Sequence, residues 1–263
     1  MSTSTASPDA VHRHLSARLR EAGCVFAEDE ARLLMREAGS AATLDRWLLR
    51  RCAGEPLEVL VGWAEFWGLR VAVAPGVFVP RRRTEGLVRA ALEIAPEAGV
   101  VVDLCTGTGA VALALSHERP DLDLYAADLH PAAVRCAQDN LRGRAQVVMS
   151  DLFDSLPADL RGRVDVVTAN VPYVPSGDLD LLPAEARDHE PTSAHDGGDD
   201  GLAVLRRVVH DARAWLAPGG EVLVEVSRHQ QAAARFAFAT AGLRPRIALN
   251  DDDGTVVVAG TPR

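Results

Sequence analysis

The sequence predicts an α/β fold, a mostly parallel sheet covered by helices on both faces and preceded by a small helical bundle. Three observations predict it. Apolar positions recur at three-to-four spacing as far as about Cys52, and from Val100 onward strand-like apolar runs alternate with helical stretches. The first of those runs ends in a glycine-rich turn, Leu104 to Ala110, that opens a helix. With 263 residues, 48% of them hydrophobic, the chain can bury a sizeable core as one large domain or two modest ones.

The bundle is read from Val11, Leu15 and Leu19, then Ala31, Leu34 and Met35, then Leu44, Trp47 and Leu48, with Gly23 and Gly39 where helices would end. Three or so short helices are expected. From Trp63 to Pro80 the pattern changes to alternation, and Pro75-Gly76 as a turn suggests a short hairpin. The expected organisation is a helical domain over 1–60, a β-hairpin linker over 61–80 and a catalytic domain over 81–263. Within the last, the runs at 100–104, 123–128, 145–149, 164–169 and 221–226 read as strands. Helices are expected over 110–117, 131–141, 202–215 and 230–241. The final run, 255–260, has no helix after it and reads as an antiparallel strand in or beside the sheet. Asp178 to Asp200 is the one long irregular stretch, and such stretches are more often functional than not.

Composition narrows the classes of function. The net charge is -9, the chain has no lysine, and wide phosphate-backbone binding needs a broad positive surface, so nucleic acid is not an expected partner. The one basic run, Arg81-Arg82-Arg83, is short and reads as a solvated turn. No apolar run is long enough to cross a bilayer and the start does not read as a signal peptide, so the expectation is a cytoplasmic protein without membrane contact. Cys24, Cys52, Cys105 and Cys136 never adopt Cys-x-x-Cys spacing and the histidines are scattered, so no metal site is expected. The expected state is a monomer.

Chemistry concentrates at strand ends. Gly107 and Gly109 follow the first strand of the alternating region, let the backbone approach a ligand and leave amide N–H groups facing the crevice. Gly107-x-Gly109-x-x-Ala112 with Asp128 about 20 residues on also satisfies a dinucleotide fingerprint. Three acids shift the balance. Asp103, four residues before Gly107, is placed to accept from an ammonium or its water and would repel a pyrophosphate. Asp128 can take both hydroxyls of a ribose, and Asp151-Leu152-Phe153 offers a carboxylate to an adenine amino group and apolar side chains to its ring. Thr106, Leu129 and Asn170 complete the expected lining. Each acid alone could be a helix cap; at three successive strand ends they point to S-adenosylmethionine.

The fourth strand runs directly into Asn170-Val171-Pro172-Tyr173. Proline holds the preceding Val171 extended, so its carbonyl and the Asn170 side chain can converge on one NH2 group. An amide or ring-amino nitrogen is nearly non-basic. Holding both of its N–H bonds turns the lone pair toward a methyl donor and favours the pyramidal transition state, with Tyr173 packed on the flat acceptor.

These residues resemble the HemK/PrmC family of protein glutamine-amide N-methyltransferases. The likeness runs from Gly54-Glu55-Pro56 through Glu65-Phe66-Trp67 and Val79-Pro80-Arg81 to DLCTGTGAVALAL, the Asn-x-Pro-Tyr turn, His189-Glu190-Pro191 and Asp200-Gly201-Leu202. It implies a class I S-adenosylmethionine-dependent methyltransferase domain, Rossmann-like with a seven-stranded, mostly parallel sheet, and a helical bundle that helps recognise a protein substrate. The expected partner is a protein with a methylatable glutamine, such as a peptide-chain release factor with its Gly-Gly-Gln loop. Phe78 and Arg81 would border the site, and Glu190 would help order the loop that closes it. This chain departs from the family in having Val171 where proline is usual and Arg82-Arg83 where a proline and an acid are usual, and His189 stands where an aromatic is common. Two other readings follow: an N-methyltransferase for a small-molecule amide or amine (the Asn-Pro-Pro-Tyr logic is shared with DNA adenine methyltransferases, disfavoured here by charge), and a catalytically silent S-adenosylmethionine-binding interaction protein.

Overall fold

A computed structural model describes residues 7–250 and 255–263. Its contacts divide the chain into two units, one built from the N-terminal residues through Trp63 together with Pro183–His189, the other from Ala64–Leu182 and Glu190–Arg263.

The smaller unit opens with α1 (Pro8–Glu21), α2 (Ala27–Glu37), α3 (Ala41–Cys52) and the single turn α4 (Leu57–Val61). Two of its helix starts are capped as their sequences dictate: Ser7 accepts from the Ala10 N–H ahead of Pro8 in the first turn, and Ser40 accepts from the Thr43 N–H. The apolar stripes of these helices meet around Leu15, Leu19, Leu34 and Leu48. Burying each such side chain contributes about 1.5–3 kcal/mol.

Next comes a hairpin, β1 (Trp63–Phe66) and β2 (Leu69–Ala72), which from Ala64 on belongs to the larger unit. Its turn is Trp67-Gly68, both with positive φ, and not the expected Pro75-Gly76, which forms a separate turn beyond β2. A tight hairpin turn wants left-handed backbone, which proline cannot adopt. The remaining elements are α5 (Glu85–Ile94), β3 (Val100–Leu104), α6 (Ala110–Glu118), β4 (Asp123–Asp128), α7 (Pro131–Leu141), β5 (Gln146–Met149) and β6 (Val164–Ala169). After them come α8 (Ala184–His189), which lies in the smaller unit, then α9 (Ala203–Ala212), β7 (Leu216–Ser227), α10 (Gln231–Thr240), β8 (Leu243–Asn250) and β9 (Thr255–Pro262). The stretch expected to be irregular, Asp178 to Asp200, contains α8 and short 3-10 turns on either side of it.

Seven strands form one sheet in the order β5-β4-β3-β6-β7-β9-β8. All neighbours from β5 to β7 are parallel, and β9 is inserted antiparallel between β7 and β8. Alternate residues of β3 serve opposite cores: Val100, Val102 and Leu104 join Leu205, Val208 and Phe238, while Val101 joins Leu87, Ala91 and Leu115. Burial on both faces is why these strands read as continuous apolar runs. The order reverses between β3 and β6, and the crevice outside the carboxyl ends of strands at such a reversal is where ligands bind in open α/β sheets. No described helix is long and apolar enough to cross a membrane.

Candidate active site

The glycine loop is fixed from beneath by its acids. Asp103, only 2% exposed, accepts from the Thr106 hydroxyl through one oxygen (2.6 Å) and from the Thr168 hydroxyl on β6 through the other (2.8 Å). Burial pushes its carboxyl up to about 6, against the pull of those two donors. The loop is also tied to β4, since the Thr106 N–H donates to the Ala127 carbonyl (3.1 Å). Asp128 accepts from the Gly107 N–H through one oxygen and from the His130 N–H through the other, both at 2.9 Å. Gly109 starts α6 with a φ of 79°, and a Cβ there would stand 3.1–3.2 Å from Leu141 and Ala137, so this glycine lets α6 close on α7. At the tip of β4, Leu129 is 56% exposed, while Leu152 beyond β5 is buried. Asp151 pairs with Arg207 of α9 at 2.9 Å. Each of the three strand-end acids thus has a partner within the chain, Asp103 and Asp128 as buried groups and Asp151 in a pair at the surface.

The acceptor turn follows β6 directly. Leu104 and Ala169 are register partners, so Asn170 stands beside the start of the glycine loop. The Asn170 amide N–H donates to the Thr84 hydroxyl (3.2 Å), a buried group that directs the amide's other end, Oδ1, elsewhere. Among the described residues no group donates to that oxygen or to the Val171 carbonyl. The Val171 side chain itself enters the core beside Leu152 and Leu202, so what Val171 can offer the crevice is backbone. Tyr173 is held by Arg83, which donates to its hydroxyl and lies 5.8 Å from its ring centroid. Burial raises the Tyr173 hydroxyl's pKa. The guanidinium therefore anchors the ring by its hydroxyl end.

Of the run expected as a solvated turn, Arg82 is exposed, while Arg81, expected also to border the site, and Arg83 meet buried partners. Arg81 pairs with Glu190 at 2.7 Å and lies over the Phe78 ring at 5.1 Å; Arg83 reaches both Tyr173 and, at 3.6 Å, the buried Glu225. These arginines are fixed because two buried carboxylates and an aromatic hydroxyl need their donors. Glu190 is the centre of the arrangement. Buried to 6% exposure, it accepts from the Val79 N–H (3.1 Å) and Arg81, and its second oxygen lies 2.8 Å from His195 Nε2. His195 meets the Phe78 ring edge-on at 5.6 Å.

From there the loop closes onto the acceptor turn and the cofactor side. Val174 donates to the His195 carbonyl and accepts from the Gly197 N–H, and Ser193 bonds the His130 ring at 2.8 Å. Gln230, opening α10, donates to the Tyr173 carbonyl at 2.8 Å. Gly201, at a φ of 74°, packs against that same carbonyl, where an added Cβ would collide. Thr84, Arg83, Thr168, His195 and Gln230 were not legible as site residues, because each acts on a partner far away in the chain and carries no local motif.

The comparisons with known proteins agree on the class. The Methyltransferase small domain family matches residues 68–182. A release factor glutamine methyltransferase of Mycolicibacterium smegmatis is 44% identical over 188 residues, covering 70% of this chain and 66% of the relative. One of Geobacter sulfurreducens is 36% identical over 214 residues, covering 80% and 74%. The chain therefore spans about two thirds to three quarters of the length of these relatives. A 4-amino-L-phenylalanine/4-methylamino-L-phenylalanine methyltransferase of Streptomyces pristinaespiralis is 39% identical over 204 residues, covering 74% and 69%. Among solved structures, a methyltransferase from Pyrococcus furiosus superposes with a TM-score of 0.55 at 13% identity over 73% of this chain and 88% of that one, a likeness of fold alone.

Proposed function

The chain belongs to the release factor glutamine methyltransferase family, and on that footing we propose that it methylates the side-chain amide nitrogen of a protein glutamine, with a release factor's Gly-Gly-Gln loop as first candidate. The observation that carries the reading is the Asn170 amide, whose N–H is spent on buried Thr84 and whose oxygen is left at the carboxyl tip of β6 beside the glycine loop.

The crevice fits S-adenosylmethionine. An apolar side chain 56% exposed at a strand tip, Leu129, is what an adenine ring would cover, and it adjoins a carboxylate, Asp128, oriented by two backbone N–H groups with lone pairs to spare for ribose hydroxyls. Leu152 would flank the other side of the ring and Asp151, beside Arg207, its amino group. Thr106, Gly107 and Gly109 would line the methionine end, with Asp103 acting chiefly from behind the loop through Thr106. S-adenosylmethionine supplies an electrophilic methyl on a sulfonium.

The chain's own residues make a poor nucleophile reactive. The Asn170 oxygen and the Val171 carbonyl would accept the two N–H bonds of the acceptor, taking the nitrogen lone pair out of conjugation and aligning it with the methyl. Thr84 keeps the Asn170 oxygen aimed, and the proton made acidic by transfer leaves to solvent. Glu190, through Val79 and Arg81, would fix the segment that carries Phe78. A cytoplasmic address belongs to the same proposal.

A second reading has one supporting observation, the relative whose name specifies an aromatic amine. The test is incubation with methyl-labelled S-adenosylmethionine and, separately, a Gly-Gly-Gln-bearing release factor and 4-amino-L-phenylalanine. Label on the factor's glutamine is expected. Label on the amine alone would replace the glutamine reading with the second, and cofactor binding without transfer to either would contradict both.

A further inference from the structure

We propose that His195 is a positioning residue for methyl transfer: its side chain holds the Phe78-Val79 segment through Glu190 while its backbone holds Val174, so that it fixes how that segment stands against the acceptor turn. The part of this inference that concerns acceptor use rests on the function proposed above, and every contact in it lies within the larger unit.

His195 Nε2 and Glu190 Oε2 are both buried and lie 2.8 Å apart, and neither has a hydrogen-bond partner elsewhere among the described residues. Each is thus the other's one available partner, and a buried polar atom left alone is costly. The other carboxylate oxygen, Oε1, takes the Val79 N–H (3.1 Å) and Arg81 (2.7 Å). Arg81 already balances the charge, so what Glu190 needs from His195 is a donor, and a neutral imidazole carries one at Nε2 in one of its two tautomers. Without that donor, Oε2 would compete for the two on Oε1 and the carboxylate would turn.

The rest of His195 is committed as well. Its ring stands edge-on to Phe78 at 5.6 Å, and Arg81 lies over that same ring at 5.1 Å. The Phe78 carbonyl in turn lies against the glycine loop, 4.0 Å from where a Cβ on Gly107 would be. On the backbone side, the His195 carbonyl accepts from the Val174 N–H (2.9 Å), next to Tyr173. One residue therefore spans from the segment beside the glycine loop to the segment that carries Tyr173. Loss of the Nε2 contact frees the two to move independently, which loosens the surface against which the acceptor is held.

The test uses the full chain with His195→Phe, which keeps a ring beside Phe78 and removes the donor, and His195→Gln, whose amide can place a donor near the position of Nε2. His195→Leu takes the place of the phenylalanine variant if that does not fold. Without the donor, hydrogen exchange is expected to rise about tenfold at the amides of Val79 and Val174, with those of Val101 and Val102 in β3 unchanged. The glutamine variant is expected to recover much of the protection. Calorimetric S-adenosylmethionine affinity stays within about twofold in both, while KM for the Gly-Gly-Gln factor rises several-fold in the variant without the donor, with little change in kcat, and returns toward wild type with glutamine. Unchanged exchange at Val79 and Val174, loosening that spreads equally into β3, or a glutamine variant no better than the other overturns the proposal. Failure of the wild-type chain to label the factor would remove the proposed function and leave the exchange result to decide the role of His195.

Discussion

A carboxylate buried with both oxygens on hydroxyl donors is a balance of opposed effects, and at Asp103 burial outweighs the two hydroxyls, lifting its pKa from 3.8 to about 6. The sign follows directly. Because the folded value is raised, the stabilisation that protonation gives is fully present below 3.8 and is lost as pH rises through about 6. At neutral pH the ionised group then costs on the order of 3 kcal/mol, since each tenfold change in an ionisation constant is worth about 1.4 kcal/mol. In Asp103→Asn, whose amide can pair with both threonine hydroxyls, denaturant unfolding between about pH 4 and 7 should show the variant gaining on the wild type by about 1–3 kcal/mol as pH rises. Parallel curves for the two proteins would contradict this. The place of Asp103 in the loop was readable from the glycines after it, but its partner Thr168 lies 65 positions away and carries no signal. The same holds for Thr84, 86 positions from Asn170, and for His195 and Gln230. Residues announced by a strand-end motif were legible, and residues that orient them from other elements were not.

The parallel strands and their helices were legible because burial on both faces writes continuous apolar runs and the intervening helices write their own period; 131–141 and 164–169 coincide with the elements observed. β8 was not foreseen. It is an outer strand in which Arg244, Pro245 and Arg246 interrupt the apolar pattern, and its burial alternates irregularly. α5 was not foreseen either, since the arginine run just before it masks the start of an amphipathic helix. The loop between α8 and α9 is determined by contacts that only the fold supplies, and Gly201 shows how tightly. Its φ of 74° and its contact with the Tyr173 carbonyl leave no room for a side chain. Gly201→Ala should destabilise the protein by about 1–3 kcal/mol and displace the acceptor turn, so that transfer falls more than tenfold while cofactor affinity changes little. Thermal unfolding and calorimetry check both parts; wild-type transfer in this variant would show that the Tyr173 carbonyl need not stay where Gly201 holds it.

Across the molecule, the seven-stranded order reverses between β3 and β6, and this reversal brings two kinds of chemistry to one edge: a glycine loop with Asp128 on one side, and the Asn170 turn on the other. The arrangement was readable from sequence because both halves sit at strand ends, whereas the grouping of 183–189 with the helical unit, where Glu185 meets Arg51, is something no spacing predicts. The central claim is that Asn170 acts on the acceptor's N–H bonds during transfer and has little part in holding the methyl donor. The direct measurement is single-turnover methyl transfer to a Gly-Gly-Gln factor beside calorimetric S-adenosylmethionine binding, for the wild type and Asn170→Ala. Transfer should fall by about 2–4 kcal/mol of barrier, the range for losing a group used mainly in the transition state, with the dissociation constant within a few-fold. Equal loss of binding and transfer, or transfer at the wild-type rate, would contradict it.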